Sequence, residues 1–546
     1  MKKILVCSAW PYASNIPHLG NLVSSLLSGD VFARYYKLRG HEVVYVSGTD
    51  THGTRIEYEA AKLSRSPREH AQIVHKEILR IIEAFGIEFE NYTWTESPVH
   101  RQFIIDIHKR MAAGGYIFSQ EEERAYCQNC RRFLADRYIE GSCPYCGYEH
   151  ARGNQCDRCG ALLEPEELIR PHCAICGGSD IIFKKTRHWY LDLKKLEPKL
   201  REYLNSRDFR GNVKLLTENM LRDLRPRAIT RDLEWGIPAP FVGAEGKVIY
   251  VWAEAALGYV SATIEYFQDK GEPERWREFW FGDDLFQVYT QGKDNIPFHT
   301  LIFPGQLIAS GEGYHLPDQI SATEYLNWIG GEAFSKSRRV GIYCDEALKL
   351  LAPTLWRFYL LYTRPEKKDV AFSWEELEKA INGVLIDNIS NLVNRVVALA
   401  NRLYGGEVEA VPEGRVLGQI QEVQEQVERE IESGSLAPAL RRIAELAVFG
   451  NRYFQEERPW EGGRPEAVAS GLQFAKVLAI LLEPFVPAFS GEVYRMLGLE
   501  RPTFDDILKV ELPFRVGPAK PLLQKIDIEE VQQRYEELGE GAVEAT

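Results

Sequence analysis

With 546 residues the chain exceeds what one hydrophobic core holds, so three or more structural units are expected. Its composition, 45% hydrophobic, 27% charged and 11% aromatic, is that of an ordinary globular protein, and no apolar run reaches the ~18 residues that cross a bilayer. A net charge of −13 argues against an indiscriminate polyanion binder, while 66 lysines and arginines leave room for a local basic face.

The opening "MKKILVCSAW" reads as a first strand rather than a secretion signal, which points to the cytosol. Over 1–115 the run "KKILVCSA", the helical "LGNLVSSLLSGDVFARYYKLRG" closing at Gly40, and "HEVVYVSGTD" give strand, helix, strand. Helical patterns follow in "REHAQIVHKEILRIIEAFGI" and "HRQFIIDIHKRMAAGG". That order opens a doubly wound parallel sheet, whose ligands lie beyond the carboxyl ends of its strands, here 9–21 and 47–54. Turn residues and cysteines break the pattern over 116–225, as expected of an insertion. From 226 to 330 "KVIYVWAEAALGYVSATIEYF" and "FQVYTQGKDNIPFHTLIFPGQLIAS" resume the sheet. After the loop "GGEAFSKSRRVGIY" in 331–380, apolar residues at i, i+3, i+4 and i+7 over 381–510 predict three to five helices packed as a bundle. The tail, 511–546, is charged and expected to pack only in part. The fold class is therefore α/β, a split Rossmann-like parallel sheet with an insertion, followed by an α-helical bundle.

Eight of the ten cysteines form four Cys-x-x-Cys pairs: Cys127/Cys130, Cys143/Cys146, Cys156/Cys159 and Cys173/Cys176. Without a secretion signal, such clustering points to metal rather than disulfides, and eight thiolates suit two tetrahedral Zn²⁺ sites. A site closed by four thiolates leaves no open coordination position, so both ions would be structural. Spacing alone leaves nested and sequential pairing open. Cys7 and Cys344 are isolated and read as inert thiols.

Two short stretches carry chemistry. In "PYASNIPHLGNL", His18 and Asn21 sit on the first helical turn after strand one, where backbone N–H groups and the helix dipole attract phosphate. A plain capping pair is the alternative. In "AFSKSRR", Lys336 lies between Ser335 and Ser337 on a loop that could close over developing charge in phosphoryl or nucleotidyl transfer, or serve only as a basic linker.

"PHLGN" and "FSKS" are similar to the HIGH and KMSKS motifs of the class I aminoacyl-tRNA synthetases, and "AITRDLEWGIPAP", "YVWAEAALGY" and "GKDNIPFHTLIFP" resemble the methionyl-tRNA synthetase family in particular. The resemblance spans residues 4 to about 460. It implies ATP binding by His18, Gly20, Asn21, Lys293, Asp294, Ser335, Lys336 and Ser337, with His18, Asn21 and Lys336 catalytic and Mg²⁺ bound with ATP. It implies a methionine pocket of Ala9, Trp10, Tyr12, Asp50, Trp252, Ala255, Tyr259 and His299, with Asp50 on the substrate ammonium. An aromatic box suits a flexible thioether, sulfur–aromatic contacts adding ~0.3–1.5 kcal/mol. The loop region 331–380 would meet the tRNA stem, and Arg402, Pro459 and Trp460 in 381–510 would read the anticodon of tRNA(Met), Trp460 as an exposed indole stacking on an unpaired base. Relatives with one zinc retain the two inner cysteine pairs, which favours nested pairing. A monomer without membrane attachment is expected.

Several positions depart from the family pattern. Ala333 replaces the first lysine of KMSKS, and Glu254, Ala255 and Ala256 stand for the common Asp-Ala-Pro. Phe303 and Ala398 replace a frequent Trp and Asn, and Asn21 ends the HIGH motif in place of His. These departures leave open a paralogue acting on a methionine analogue or another amino acid, or a catalytically weakened tRNA-binding paralogue. A small nucleotidyltransferase ranks last, because it has no use for the helical region.

Overall fold

A computed structural model of the chain describes all residues except 135–137, 154–155, 157, 160, 162, 164–166, 336–337 and 542–546. Five apolar runs form the central sheet: β1 (Lys3–Ser8), β2 (Glu42–Thr49), β3 (Asn91–Trp94), β4 (Leu285–Gly292) and β5 (Gln319–Thr323). Their order is β5-β4-β1-β2-β3, and every pair is parallel, with Val6 opposite both Tyr45 and Val288. Both faces of β1 and β2 are buried, so the strands read as continuous hydrophobic runs rather than alternating ones. The chain leaves β1 toward β2 on one side and returns as β4 on the other. The topological switch point, where such sheets bind ligands, therefore lies at the carboxyl ends of β1 and β4.

The helical stretch after β1 is two helices rather than the single one its periodicity predicts. α1 (Leu19–Ser24) and α2 (Leu26–Leu38) break at Ser25, whose φ/ψ of −119°/−84° is not helical. The Ser25 carbonyl accepts from the hydroxyls of Ser8 (3.0 Å) and Thr290 (2.9 Å), and its own hydroxyl donates to the Ala9 carbonyl (2.6 Å). Side chains from β1 and β4 thus hold the break against the switch point.

Between β3 and β4 the chain leaves the sheet along an antiparallel arm, Ile117–Cys127 paired with Ile181–Leu191 over its whole length. At its tip a three-stranded sheet of Ile139–Ser142, Ala151–Arg152 and Ile169–Cys173 encloses a small separate core that includes Cys127, Cys143, Cys156 and Cys173. Beyond β5 the helices Pro353–Tyr362, Asn391–Tyr404, Gly414–Glu432, Leu436–Glu457, Pro465–Leu482 and Pro487–Leu497 form the bundle. The segment Lys379–Ser390 leading into it is π-helical. Pro465–Leu482 has the length and mean hydropathy (1.4) of a membrane span, but 89% of it is buried inside the protein, as a bundle-core helix. The buried Arg357 bolts bundle to sheet: it donates to Asp30 on α2 (2.6 Å) and to the carbonyls of Phe85 (3.1 Å) and Phe485 (2.8 Å).

The tail packs further than its charge suggests. Phe514–Arg515 pairs with Glu407–Val408, Asn382 and Ile526 exchange two hydrogen bonds of 2.9 Å, and helix Ile528–Gly541 buries Val531.

Candidate functional site

The first motif begins where β1 ends. His18 caps α1 with its own ring: the Asn21 N–H donates to His18 Nδ1 and the His18 N–H donates to Asn21 Oδ1, both at 3.3 Å. The capping alternative is therefore realised, and it fixes the ring. With Nδ1 accepting, the neutral imidazole carries its proton on Nε2, and burial lowers its pKa to about 4. Gly20 lies in α1 between the two.

The second motif closes onto the first. Phe334 stacks on His18 with ring centroids 4.4 Å apart and planes 8° from parallel, and the Tyr343 ring meets it near-perpendicularly at 6.1 Å. Ser335 exchanges both backbone hydrogen bonds with Val340 (2.9 Å each). Lys336 and Ser337 lie outside the described residues. His18, Asn21, Ser335, Phe334 and Tyr343 line a cavity of about 860 Å³. An adjoining cavity of about 840 Å³ shares Ala9, Trp10, Tyr12, Asn21 and Asn295 as a common wall.

That second cavity is lined by Ala9, Trp10, Tyr12, Asp50, Trp252, Ala255, Tyr259 and His299, the whole set expected from sequence. The Trp10 indole fits because two neighbours lack a side chain: a Cβ on Gly48 or Gly258 would come within 2.8 or 2.5 Å of its ring. Trp252 stacks on Phe298 at 4.6 Å. His299 Nδ1 donates to the Asn295 carbonyl (2.9 Å), so its Nε2 accepts the Tyr259 hydroxyl (2.8 Å), and burial holds the ring neutral with a pKa of about 4. Asp50 is 5% exposed, and its Oδ1 accepts only a long bond from the His52 N–H (3.4 Å) among the described residues. Burial drives its carboxyl well above the usual range, Glu254 adds to the push and His52 opposes it. A cation entering this pocket would reverse that shift, so the Asp50 carboxyl could pair with a positively charged group.

Asp294 lines the same cavity and accepts the Tyr325 hydroxyl. Lys293 turns elsewhere: its ammonium sits between Glu324 (2.8 Å) and Asp369 (2.7 Å), over the Tyr325 ring.

Beneath the pocket lies a buried charge network. Glu254 is fully buried, and its Oε1 accepts from His52 Nδ1 (2.6 Å) and His100 Nε2 (3.2 Å). His52 Nε2 reaches Glu96 (2.8 Å), which also meets Arg101 (3.1 Å) and Arg68. Burial alone would raise the Glu254 carboxyl, but the His52 charge and the two histidine hydrogen bonds hold it at about 2. Burial would likewise lower His52, and Glu254 with Glu96 holds it at about 10.

The eight clustered cysteines converge as two groups, Cys127, Cys130, Cys173 and Cys176, and Cys143, Cys146, Cys156 and Cys159. The pairing is nested. Within the groups Cys127–Cys176, Cys130–Cys173, Cys143–Cys159 and Cys146–Cys156 have Sγ atoms 3.7, 3.8, 3.8 and 3.6 Å apart. A tetrahedron with metal–sulfur bonds of ~2.3 Å has edges of ~3.8 Å, so either group could hold a metal ion.

The sequence matches the family model for class I tRNA synthetases (M) over residues 4–397. The chain belongs to the methionyl-tRNA synthetase family. A methionine–tRNA ligase of Caldivirga maquilingensis is 46% identical over 98% of this chain and 94% of its own length, and one of Korarchaeum cryptofilum is 45% identical over 98% of both. In fold, the chain is similar to a Mycobacterium tuberculosis methionyl-tRNA synthetase solved in complex with methionyl-adenylate, with a TM-score of 0.78 at 22% identity, covering 96% of this chain and 99% of that one.

Within this synthetase-family chain, sequence reasoning missed Phe298, Asn295, Phe334 and Arg55, all of which line the cavities. Phe298 directly precedes His299, Asn295 directly follows Asp294, and Phe334 sits inside "AFSKS", so each lay beside a residue already singled out. In the bundle Arg402 is exposed at the end of helix Asn391–Tyr404. Pro459 is buried and Trp460 is only partly exposed, packed against the core rather than standing free as expected, because the sharp turn at Arg458 (φ +41°) folds the segment back. A Cβ at Gly463 would lie 3.8 Å from the Tyr404 hydroxyl, which places that turn beside the end of the Arg402 helix.

Proposed function

We propose that the chain is a methionine–tRNA ligase. The observation that carries this reading is the aromatic pocket around Asp50, opening through Asn21 into the crevice where both signature motifs meet. In the first step the methionine carboxylate attacks the α-phosphate of ATP, giving methionyl-adenylate and releasing pyrophosphate. In the second, a hydroxyl of the 3′-terminal ribose of tRNA(Met) attacks the adenylate carbonyl and AMP leaves.

Asp50 would hold the ammonium, Trp10, Tyr12, Trp252, Ala255, Tyr259 and His299 the side chain, and Ala9 the backbone edge. His18, through its Nε2 proton, with Gly20, Asn21 and Asp294 would bind ATP, while Lys336 would neutralise charge developing toward pyrophosphate and Ser335 and Ser337 would donate hydrogen bonds to ATP. Lys293 would bind ATP by exchanging its ion pairs with Glu324 and Asp369 for the nucleotide. No enzyme nucleophile is needed; rate would come from positioning and charge stabilisation. Mg²⁺ would enter with ATP and neutralise its phosphates. The two nested four-cysteine groups would each hold a structural Zn²⁺, their sulfur separations supporting it. On this reading 1–115 and 226–330 form the catalytic domain, 116–225 the zinc insertion, 331–380 the loop and stem-contact region, and 381–510 the anticodon-binding domain with Arg402, Pro459 and Trp460. Translation sets the compartment as cytoplasm.

Amino-acid-dependent ATP–pyrophosphate exchange tests it. Exchange with methionine alone among the twenty amino acids is expected; exchange only with another compound, or none, would overturn the reading.

A further inference from the structure

Glu254 occupies a position where the family pattern carries the shorter aspartate, and it does not itself line the cavity. Its neighbours in sequence, Trp252 and Ala255, do. The carboxylate gathers histidines from two separate parts of the chain. His52, just after β2, is held between Glu254 (2.6 Å) and Glu96 (2.8 Å), and only a ring with protons on both nitrogens satisfies two carboxylates at once. His100, on helix Pro98–Ala113, donates to Glu254 through Nε2 while Nδ1 meets the Ser261 hydroxyl (2.8 Å).

Each histidine touches a different wall of the pocket. The backbone N–H of His52 points at Asp50 Oδ1 (3.4 Å), and its imidazolium is the charge that opposes the push of burial and Glu254 on Asp50. The His100 ring lies 5.7 Å from Trp10, tilted by 37°, on an indole already confined by Gly48 and Gly258. One buried oxygen therefore couples the ammonium-binding end of the pocket to the wall that meets the side chain.

We propose that Glu254 is a positioning residue for methionine selection, fixing Asp50 through His52 and Trp10 through His100. The proposal rests on the reading of this cavity as the methionine site. Glu254→Gln keeps the shape but removes the charge that both histidines share, so it acts on methionine and not on ATP.

The test is steady-state exchange with the full chain, varying methionine and ATP separately, alongside melting temperature. Glu254→Gln is expected to raise the KM for methionine about tenfold or more, with the KM for ATP unchanged. Glu254→Asp, which keeps the anion, is expected to recover most of that loss. His100→Gln, measured in the same way, decides the matter if Glu254→Gln does not fold, and is expected to raise the methionine KM alone. An unchanged methionine KM, or methionine and ATP KM values rising together with a lowered melting temperature, would overturn the positioning role. If the unaltered chain shows no methionine-dependent exchange, the reading of the site fails and the proposal falls with it. If the unaltered chain exchanges normally, only the variants bear on Glu254.

Discussion

The hydrogen bond from the Asn21 amide to His18 Nδ1 settles what the imidazole can offer. Burial keeps the ring neutral down to about pH 4, so across the physiological range it presents one N–H donor and no charge. The His52–Glu254 pair behaves in the opposite way, each group kept charged by the other, and it has a pH signature. Glu254 is depressed from 4.5 to about 2, so its contribution to stability is fully present above pH 4.5 and is lost as pH falls toward 2. His52 is raised from 6.5 to about 10, so its contribution is fully present below pH 6.5 and is lost as pH rises toward 10. The gap in melting temperature between the parent chain and Glu254→Gln should therefore be widest between pH 4.5 and 6.5 and narrow on either side. A gap that does not vary with pH would contradict the charged pair. His18 and Asn21 could be read from a short motif because they lie three residues apart. Glu254 could be read only as a departure, since its partners lie 202 and 154 residues away.

At the scale of elements, the C-terminal helix Ile528–Gly541 reaches the signature loop. The Tyr535 hydroxyl donates to the Gly341 carbonyl (3.2 Å), and its ring meets Trp328 at 5.4 Å and Trp374 at 5.6 Å. Gly341, with φ at +106°, lies directly against the Phe334 ring, which in turn stacks on His18. A line of contacts thus runs from helix Ile528–Gly541 to the first motif and holds Phe334 and Ser335 at the crevice. Removing 528–546 should slow pyrophosphate exchange about tenfold, since misplacing reacting groups costs rate before it costs binding. Methionine affinity measured without ATP should stay within about twofold. An unchanged exchange rate would show that the helix does not brace the loop. Composition marked this segment only as charged, because one tyrosine finding one carbonyl leaves no periodic trace. The strands were legible for the converse reason: burial on both faces makes each an unbroken apolar run.

For the whole molecule, three separate hydrophobic cores among the described residues set what can unfold alone. Among the described residues the core at the tip of the insertion is small and includes four buried cysteines, whereas one large core joins the sheet's α2 face to the bundle. Metal binding should therefore carry most of the insertion's stability. Stripping metal with a chelator is expected to open 116–191 to protease while the rest resists, and elemental analysis before stripping should find two zinc ions per chain, one for each group of four cysteines. Equal protection with and without chelator would refute this. The sequence by itself indicated the split parallel sheet, the helical bundle and the clustering of the cysteine pairs, because each is written in local spacing, periodicity or Cys-x-x-Cys, while the residues lining the pocket came from the resemblance of short motifs to a known family. Tertiary structure decided the nested pairing that spacing left open and the family resemblance favoured, and it alone decided the break at Ser25, the stacking of Phe334 on His18, the turning of Lys293 to Glu324 and Asp369, and the partners of Glu254. Each of these joins side chains or backbone brought together only by folding, and such contacts depend on distances that no local pattern records.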